Sequence, residues 1–222
     1  MRKYFKYFLY LYVFIGSSLS NAGSYDDFFT ALTFDKPEVV ERLLARGFDP
    51  NTPNEHGIPG LLVALQSESP KSAMVLAKHP KTNVNVQNRL DETPLMLAAI
   101  TNQLELAKVL IEQGADVNRP GWTPLHYAAT RGHRDMMRLL LDNDAYIDSE
   151  SANGTTPLMM AAYSAPPLAV KLLLEEGADP TLVNSGHASA LDLALSKDRQ
   201  QSAFYIRAFI ESWYIQNPLK EE

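Results

Sequence analysis

The sequence predicts an all-α solenoid of about six helix-turn-helix units joined by β-turn finger loops. Three observations predict it: an internal repeat of about 33 residues, a Thr-Pro-Leu start that recurs inside the repeat, and a Leu-rich run that closes in a Gly-containing turn. The start recurs as Glu92-Thr93-Pro94-Leu95-Met96-Leu97-Ala98-Ala99, Trp122-Thr123-Pro124-Leu125-His126-Tyr127-Ala128-Ala129 and Thr155-Thr156-Pro157-Leu158-Met159-Met160-Ala161-Ala162. Each leads to a second apolar run, at Ala107–Ile111, Met137–Leu141 and Val170–Leu174.

The elements follow from elementary propensities. Thr caps a helix N-terminus, and Pro at the first turn forfeits an N–H that would be unpaired there anyway. The small Ala residues then make a thin first helix that neighbours approach closely, and the second helix carries a Leu stripe at i, i+3 and i+4. Gly47, Gly114 and Gly177 end second helices where a left-handed residue is needed, and Asp144 stands where the third such glycine would fall. Degenerate copies flank these three units. One begins at Pro59, and a helix pair at Tyr25–Phe34 and Pro37–Arg46 precedes it; Ser189-Ala190-Leu191-Asp192 opens a last unit, with Lys197–Gln201 as its polar cap. The starts fall at 59, 93, 123, 156 and 189, so residues 23–222 form one repeat domain whose first and last units are caps. Between Asn118 and Thr123 there are five positions against eight at the other junctions, which blunts the finger before Trp122.

These motifs resemble the ankyrin repeat, whose TPLH-x-A start stands intact at Thr123 to Ala128 and whose GADVN turn stands at Gly114 to Asn118. The resemblance covers nearly all of the chain after residue 22.

Residues 1–22 read as a secretory signal: basic Arg2, Lys3 and Lys6, the apolar run Tyr7–Ile15, then small residues, with cleavage before Gly23. An apolar run of that length is too short for a hydrocarbon core that needs about 20 helical residues, so no stable membrane insertion follows cleavage. The chain carries 20 Lys+Arg against 26 Asp+Glu, or −6, and removing the leader leaves 17 against 26, or −9. An acidic chain without a basic block is not a nucleic-acid binder. Cysteine is absent, which excludes disulfides, thiolate metal sites and Cys nucleophiles and suits an oxidising periplasm.

No nucleophile elbow, phosphate loop, dinucleotide glycine pattern or HExxH motif occurs, so neither an enzyme nor a cofactor is predicted. His126 and His133 read as structural members of the repeat, His79 sits at a helix end, and His56 and His187 fall in finger loops. Asp142, Asp144, Asp148 and Glu150 follow calcium-loop spacing in part, but Ile147 and Asn153 occupy the positions that need Gly and Glu. The methionines Met96, Met136, Met137, Met159 and Met160 read as core filler rather than as soft metal ligands.

The resemblance implies protein binding through a concave face built from fingers and first helices. Its contact positions fall here on Glu55, His56, Ile58 and Gln66, on Arg89, Leu90, Glu92, Ile100 and Thr101, on Trp122 and Arg131, on Asn153, Thr155 and Tyr163, and on His187. Trp122 is not required by the repeat and reads as a contact at the base of its finger, outside the helix packing; the alternative is that it fills the space left by the shortened loop. The expectation is an exported, periplasmic, monomeric and non-catalytic bacterial module that binds an envelope protein partner. The alternative is a small-ligand or metal-handling accessory protein serving an envelope or oxidative-defence enzyme.

Overall fold

The computed structural model describes residues 23–216; the expected signal segment 1–22 lies outside them. They form α1 (23–33), α2 (Pro37–Ala45), α3 (Gly60–Gln66), α4 (Pro70–Lys78), α5 (Pro94–Ile100), α6 (Leu104–Glu112), α7 (Pro124–Arg131), α8 (Arg134–Leu141), α9 (Pro157–Ser164), α10 (Pro167–Glu175), α11 (Ala190–Ser196) and α12 (Gln200–Gln216). The described residues gather into two compact units, one ending at Asn88 and the other beginning at Arg89.

In the first unit α4 packs on α2 and α3, and Phe28, Leu32, Leu61, Leu62 and Leu76 are fully buried. Asp35 reaches from the loop after α1 to the start of α4, where its carboxylate accepts the Ser72 N–H at 2.8 Å. In the second unit the first helices form one row, α5 on α7, α7 on α9 and α9 on α11, while α6 meets α8 and α10 meets α12. Ala98, Ala99, Ala128, Ala129, Ala161 and Ala162 are fully buried in that row, so small side chains set the close spacing of its helices.

Turn geometry repeats as strictly as the packing. In five of the loops between paired helices, the N–H of Lys36, Ser69, Gln103, His133 or Arg199 donates to the carbonyl of Ala31, Ala64, Ala98, Ala128 or Ala194, at 2.9–3.1 Å. This six-to-one bond needs a left-handed residue just before its donor. Asp35, Glu68, Asn102, Gly132 and Asp198 supply it, with φ between 47° and 72°. The loop after α9 departs from the pattern, because Pro166 has no N–H to give. The guanidinium of Arg199, expected only to dress a polar cap, donates instead to the carbonyls of Tyr163 (2.9 Å), Ser164 and Ala165 (2.8 Å).

The turns after the second helices also link neighbours. Asn51 accepts the Asn83 N–H at 2.7 Å and donates to the Lys81 carbonyl at 2.7 Å. Asn118 makes the same pair of bonds with Tyr146 and Asp144, at 2.8 and 2.6 Å. Asp148 keeps the accepting half, taking the Asp179 N–H at 3.1 Å. That bond accounts for the calcium-like aspartate, whose acidity burial weakens. All three leucines Leu172–Leu174 are buried.

Gly47, Gly114 and Gly177 are left-handed, and so is Asp144 at φ 62°. A Cβ strains that region, and Asp144 is held there by its backbone, its N–H donating to the Leu141 carbonyl and its carbonyl accepting from Asn118. Replacing Asp144 by Gly relieves the strain but frees the unfolded chain as well. Asp144→Gly is expected to raise stability by about 0.5 kcal/mol, read as a higher urea midpoint. A lowered midpoint would mean that the carboxylate itself holds the turn.

Candidate functional site

The chemistry of the second unit is anchored at the N-termini of its first helices. Thr93 accepts the Met96 N–H at 3.3 Å, and the Met96 sulfur accepts the Thr93 N–H at 3.5 Å; Thr156 and Met159 repeat both bonds. These buried methionines therefore cap helices as well as filling the core. His126 stands at the same register between them. Its Nδ1 accepts the Thr123 N–H at 3.2 Å and lies 2.9 Å from the Thr123 hydroxyl, while Nε2 donates to the Thr155 carbonyl at 2.9 Å. Burial holds its pKa down at about 4, outweighing the bond to Thr155 that favours the charged ring. A proton on Nδ1 would also point at the Thr123 N–H, a second donor. His133, the other structural histidine, places Nε2 3.1 Å from the Ile100 carbonyl at the end of α5.

Trp122 leans edge-on against His126, with ring centroids 5.1 Å apart, and remains 42% exposed. Its expected place outside the helix packing is thus corrected: the indole covers the buried histidine. Residues 118–122 bend without a hydrogen-bonded turn, as the missing three residues predict. Arg119 from this short finger donates to the Asp91 carbonyl at 2.6 Å. Trp122, Ile100, Tyr127, Thr130 and Met160 line an open cavity of about 220 Å³ among α5, α7 and α9. Tyr127 donates its hydroxyl to Glu92 Oε1 at 3.0 Å, and burial together with the Glu92 charge pushes the phenol up to about 12. Tyr163, one turn beyond Met160, is 42% exposed, and Lys197 Nζ sits 4.4 Å over its ring.

The remaining sequence-predicted positions scatter by unit. Glu55, His56, Ile58 and Gln66 belong to the first; Glu55 and His56 approach within 3.5 Å, and Ile58 is half-buried. In the second, Arg89, Leu90, Thr101, Arg131, Asn153 and His187 are exposed, Glu92 and Ile100 half-buried. Thr155 is the correction. It is buried, its carbonyl taken by His126 and its N–H shared by Ser151 and Asn153. Left-handed Gly57, Asp91, Gly121, Gly154 and His187 turn the fingers two residues before each helix cap. Sequence reasoning missed Tyr127, Thr130 and Met160 as walls of the cavity, although their spacing after the Thr was legible. A separate apolar groove of about 840 Å³ lies in the first unit between α2 and α4, lined by Leu44, Met74 and Val75 among others.

Capped, closely spaced helix pairs with an open row of first helices define a repeat protein built for recognition. The family model for ankyrin repeats matches residues 28–120 and 117–184, and the chain belongs to the ankyrin-repeat family. It is similar to the nuclear factor NF-kappa-B p105 subunit of Gallus gallus, at 33% identity over 69% of this chain and 16% of that protein. Ankyrin repeat and SAM domain-containing protein 6 of Rattus norvegicus is 34% identical over 48% of this chain and 12% of its own length. The chain therefore spans less than a fifth of these relatives. An ankyrin repeat domain from Acinetobacter baumannii AYE superimposes with a TM-score of 0.72, covering 82% of this chain and 96% of that one at 23% identity.

The histidine generates a prediction that its neighbours control. A folded-state pKa near 4 against an unfolded value of 6.5 means that the unfolded chain takes the proton first. Stability is whole above pH 6.5 and declines as pH falls from 6.5 towards 4. Between pH 7 and pH 5 the cost is about 2 kcal/mol. His126→Met copies the adjacent repeats and removes that titration. Urea midpoints at both pH values should therefore lie closer together for the variant, even if the lost bond to Thr155 lowers both. An unchanged gap would sink the assignment.

Proposed function

We propose that this chain is an exported, non-catalytic module that binds an envelope partner protein through the first helices and fingers of its second unit. The observation that carries the reading is two half-exposed aromatics on that row, Trp122 in the wall of the apolar cavity and Tyr163 one turn beyond its wall residue Met160. Large flat side chains bury much area at little entropic cost, so a few of them dominate an interface. Support also comes from the ankyrin-repeat family, whose members generally mediate protein–protein contacts. The basic start and short apolar run of residues 1–22 support export to a bacterial periplasm.

Two measurements test it. N-terminal sequencing of the protein from a periplasmic fraction should begin at Gly23, and a chain beginning at Met1 would count against export. Affinity capture from the same fraction should yield a protein partner. Against that partner, Tyr163→Ala should weaken binding about tenfold with little change in melting temperature, because its ring contact is an exposed cation–π pair. Trp122→Ala should weaken it about thirtyfold, near 2 kcal/mol, and also lower the melting temperature by uncovering His126. Full affinity in both variants would remove the site from this row.

A further inference from the structure

The cavity beside Trp122 has the size of a side-chain socket rather than of a small-molecule site. Ligand pockets run to roughly 300–1,000 Å³, whereas a void of about 150 Å³ already accepts benzene. The 220 Å³ here suits one large apolar side chain, and its walls are Ile100, Trp122, Tyr127, Thr130 and Met160.

The charge around the socket is divided, with the Glu92 carboxylate on the finger side and cations at the helix ends. Arg131 directly follows Thr130 at the exposed end of α7. Lys197 lies over Tyr163 at the end of α11, beyond the wall formed by Met160. Among the described residues, the ion pairs within 4.0 Å join Glu55 to His56, Glu105 to Lys108, Asp135 to Arg138 and Lys171 to Glu175, and neither Arg131 nor Lys197 is in one. Glu92, on the finger side, accepts the Tyr127 hydroxyl and keeps its charge at that edge of the socket. A row with an apolar socket and two cations outside close ion pairs at its helix ends thus sits on a chain whose net charge is −6.

We propose that this face takes an acidic peptide segment, one that seats a Leu, Ile or Met side chain in the Trp122 socket and turns carboxylates towards Arg131 and Lys197. The inference rests on the functional reading above and adds the chemistry of the partner. The cations are short-range determinants, since charges separated by more than about 8 Å are screened at physiological salt. They fix which way the segment runs, and the socket holds it.

Selection of phage-displayed random 12-residue peptides on the full chain tests this without a known partner. Enriched sequences should place Leu, Ile or Met within about four residues of Asp or Glu, since that spacing is one helical turn or a short extended reach. Their synthetic forms should bind at least tenfold more weakly to Arg131→Glu/Lys197→Glu, and replacing the peptide acids by Lys should restore binding to that variant. Melting curves of each variant establish that it is folded. Peptides that need Trp122 but ignore the charge reversal overturn the acidic partner and leave the site standing. Peptides indifferent to both changes, or lost instead in Met74→Asp on the outer groove of the first unit, overturn the inference and the site together. So does a library that yields no binder sensitive to Trp122→Ala.

Discussion

Short helices are the constraint on which this structure depends. A helix leaves four N–H and four C=O groups without partners inside it. With seven or eight residues in each of α3, α5, α7, α9 and α11, about half of the backbone polar groups are orphaned. None of these helices would persist alone in water, where even good sequences need about 12–15 residues. Each repeat therefore completes its hydrogen bonding locally and through its neighbour. In the second unit, carbonyls at the end of α5 are met by His133, at the end of α7 by Ser164, which donates to Thr130 at 2.7 Å, and at the end of α9 by Arg199. Each donor is a side chain from the following repeat.

That arrangement separates stability from recognition. Ends are tied by caps and by the next repeat, and the Ala-lined flanks are buried, so the outward positions of the first helices carry little structural duty. Leu97, Tyr127, Met160 and Leu193 occupy one such register, and Ile100, Thr130, Tyr163 and Ser196 another. The chemistry varies freely at both. Trp122 is the exception, since it serves the surface and covers His126 at once. A residue with both duties couples the binding row to the buried Thr123–His126–Thr155 chain of hydrogen bonds. The same chain explains why Thr155 lies inside although its register places it at a finger base.

How far the sequence was legible follows from the range of each interaction. Helix starts, left-handed glycines, Asp144 and the shortened finger are local, and a turn or a cap shows in neighbouring residues. Trp122 was legible as a candidate because the repeat does not need it, and Tyr163 because it falls on a contact position that the resemblance implies. Met96 and Met159 were legible only as core, since a thioether accepting an N–H replaces the histidine of the pattern without resembling it. Arg199 was hidden for another reason: its partners lie about a repeat away, and the need for them arises at Pro166. The cavity was hidden because it takes residues from three helices and a finger, each of which reads as an ordinary first-helix face.

Pro166 shows how such a departure is absorbed. Its ring removes the N–H that closes the corresponding loop elsewhere, and Arg199 on the C-terminal side supplies donors in compensation. On the N-terminal side the ring crowds the preceding repeat, where a Cβ on Gly132 would stand 2.7 Å from Pro166 Cδ and 3.2 Å from Ala165 Cβ. Gly132 is left-handed at φ 72°, but Asp35, Glu68, Asn102 and Asp198 manage the same turn with side chains. Backbone conformation alone therefore does not demand glycine at this position; the approach of the next repeat does. Gly132, Pro166 and Arg199 form one solution spread over three repeats, as expected where each unit is stabilised mainly by its nearest neighbours. Substitutions among the three should not add independently, because each alters the reason the others are present.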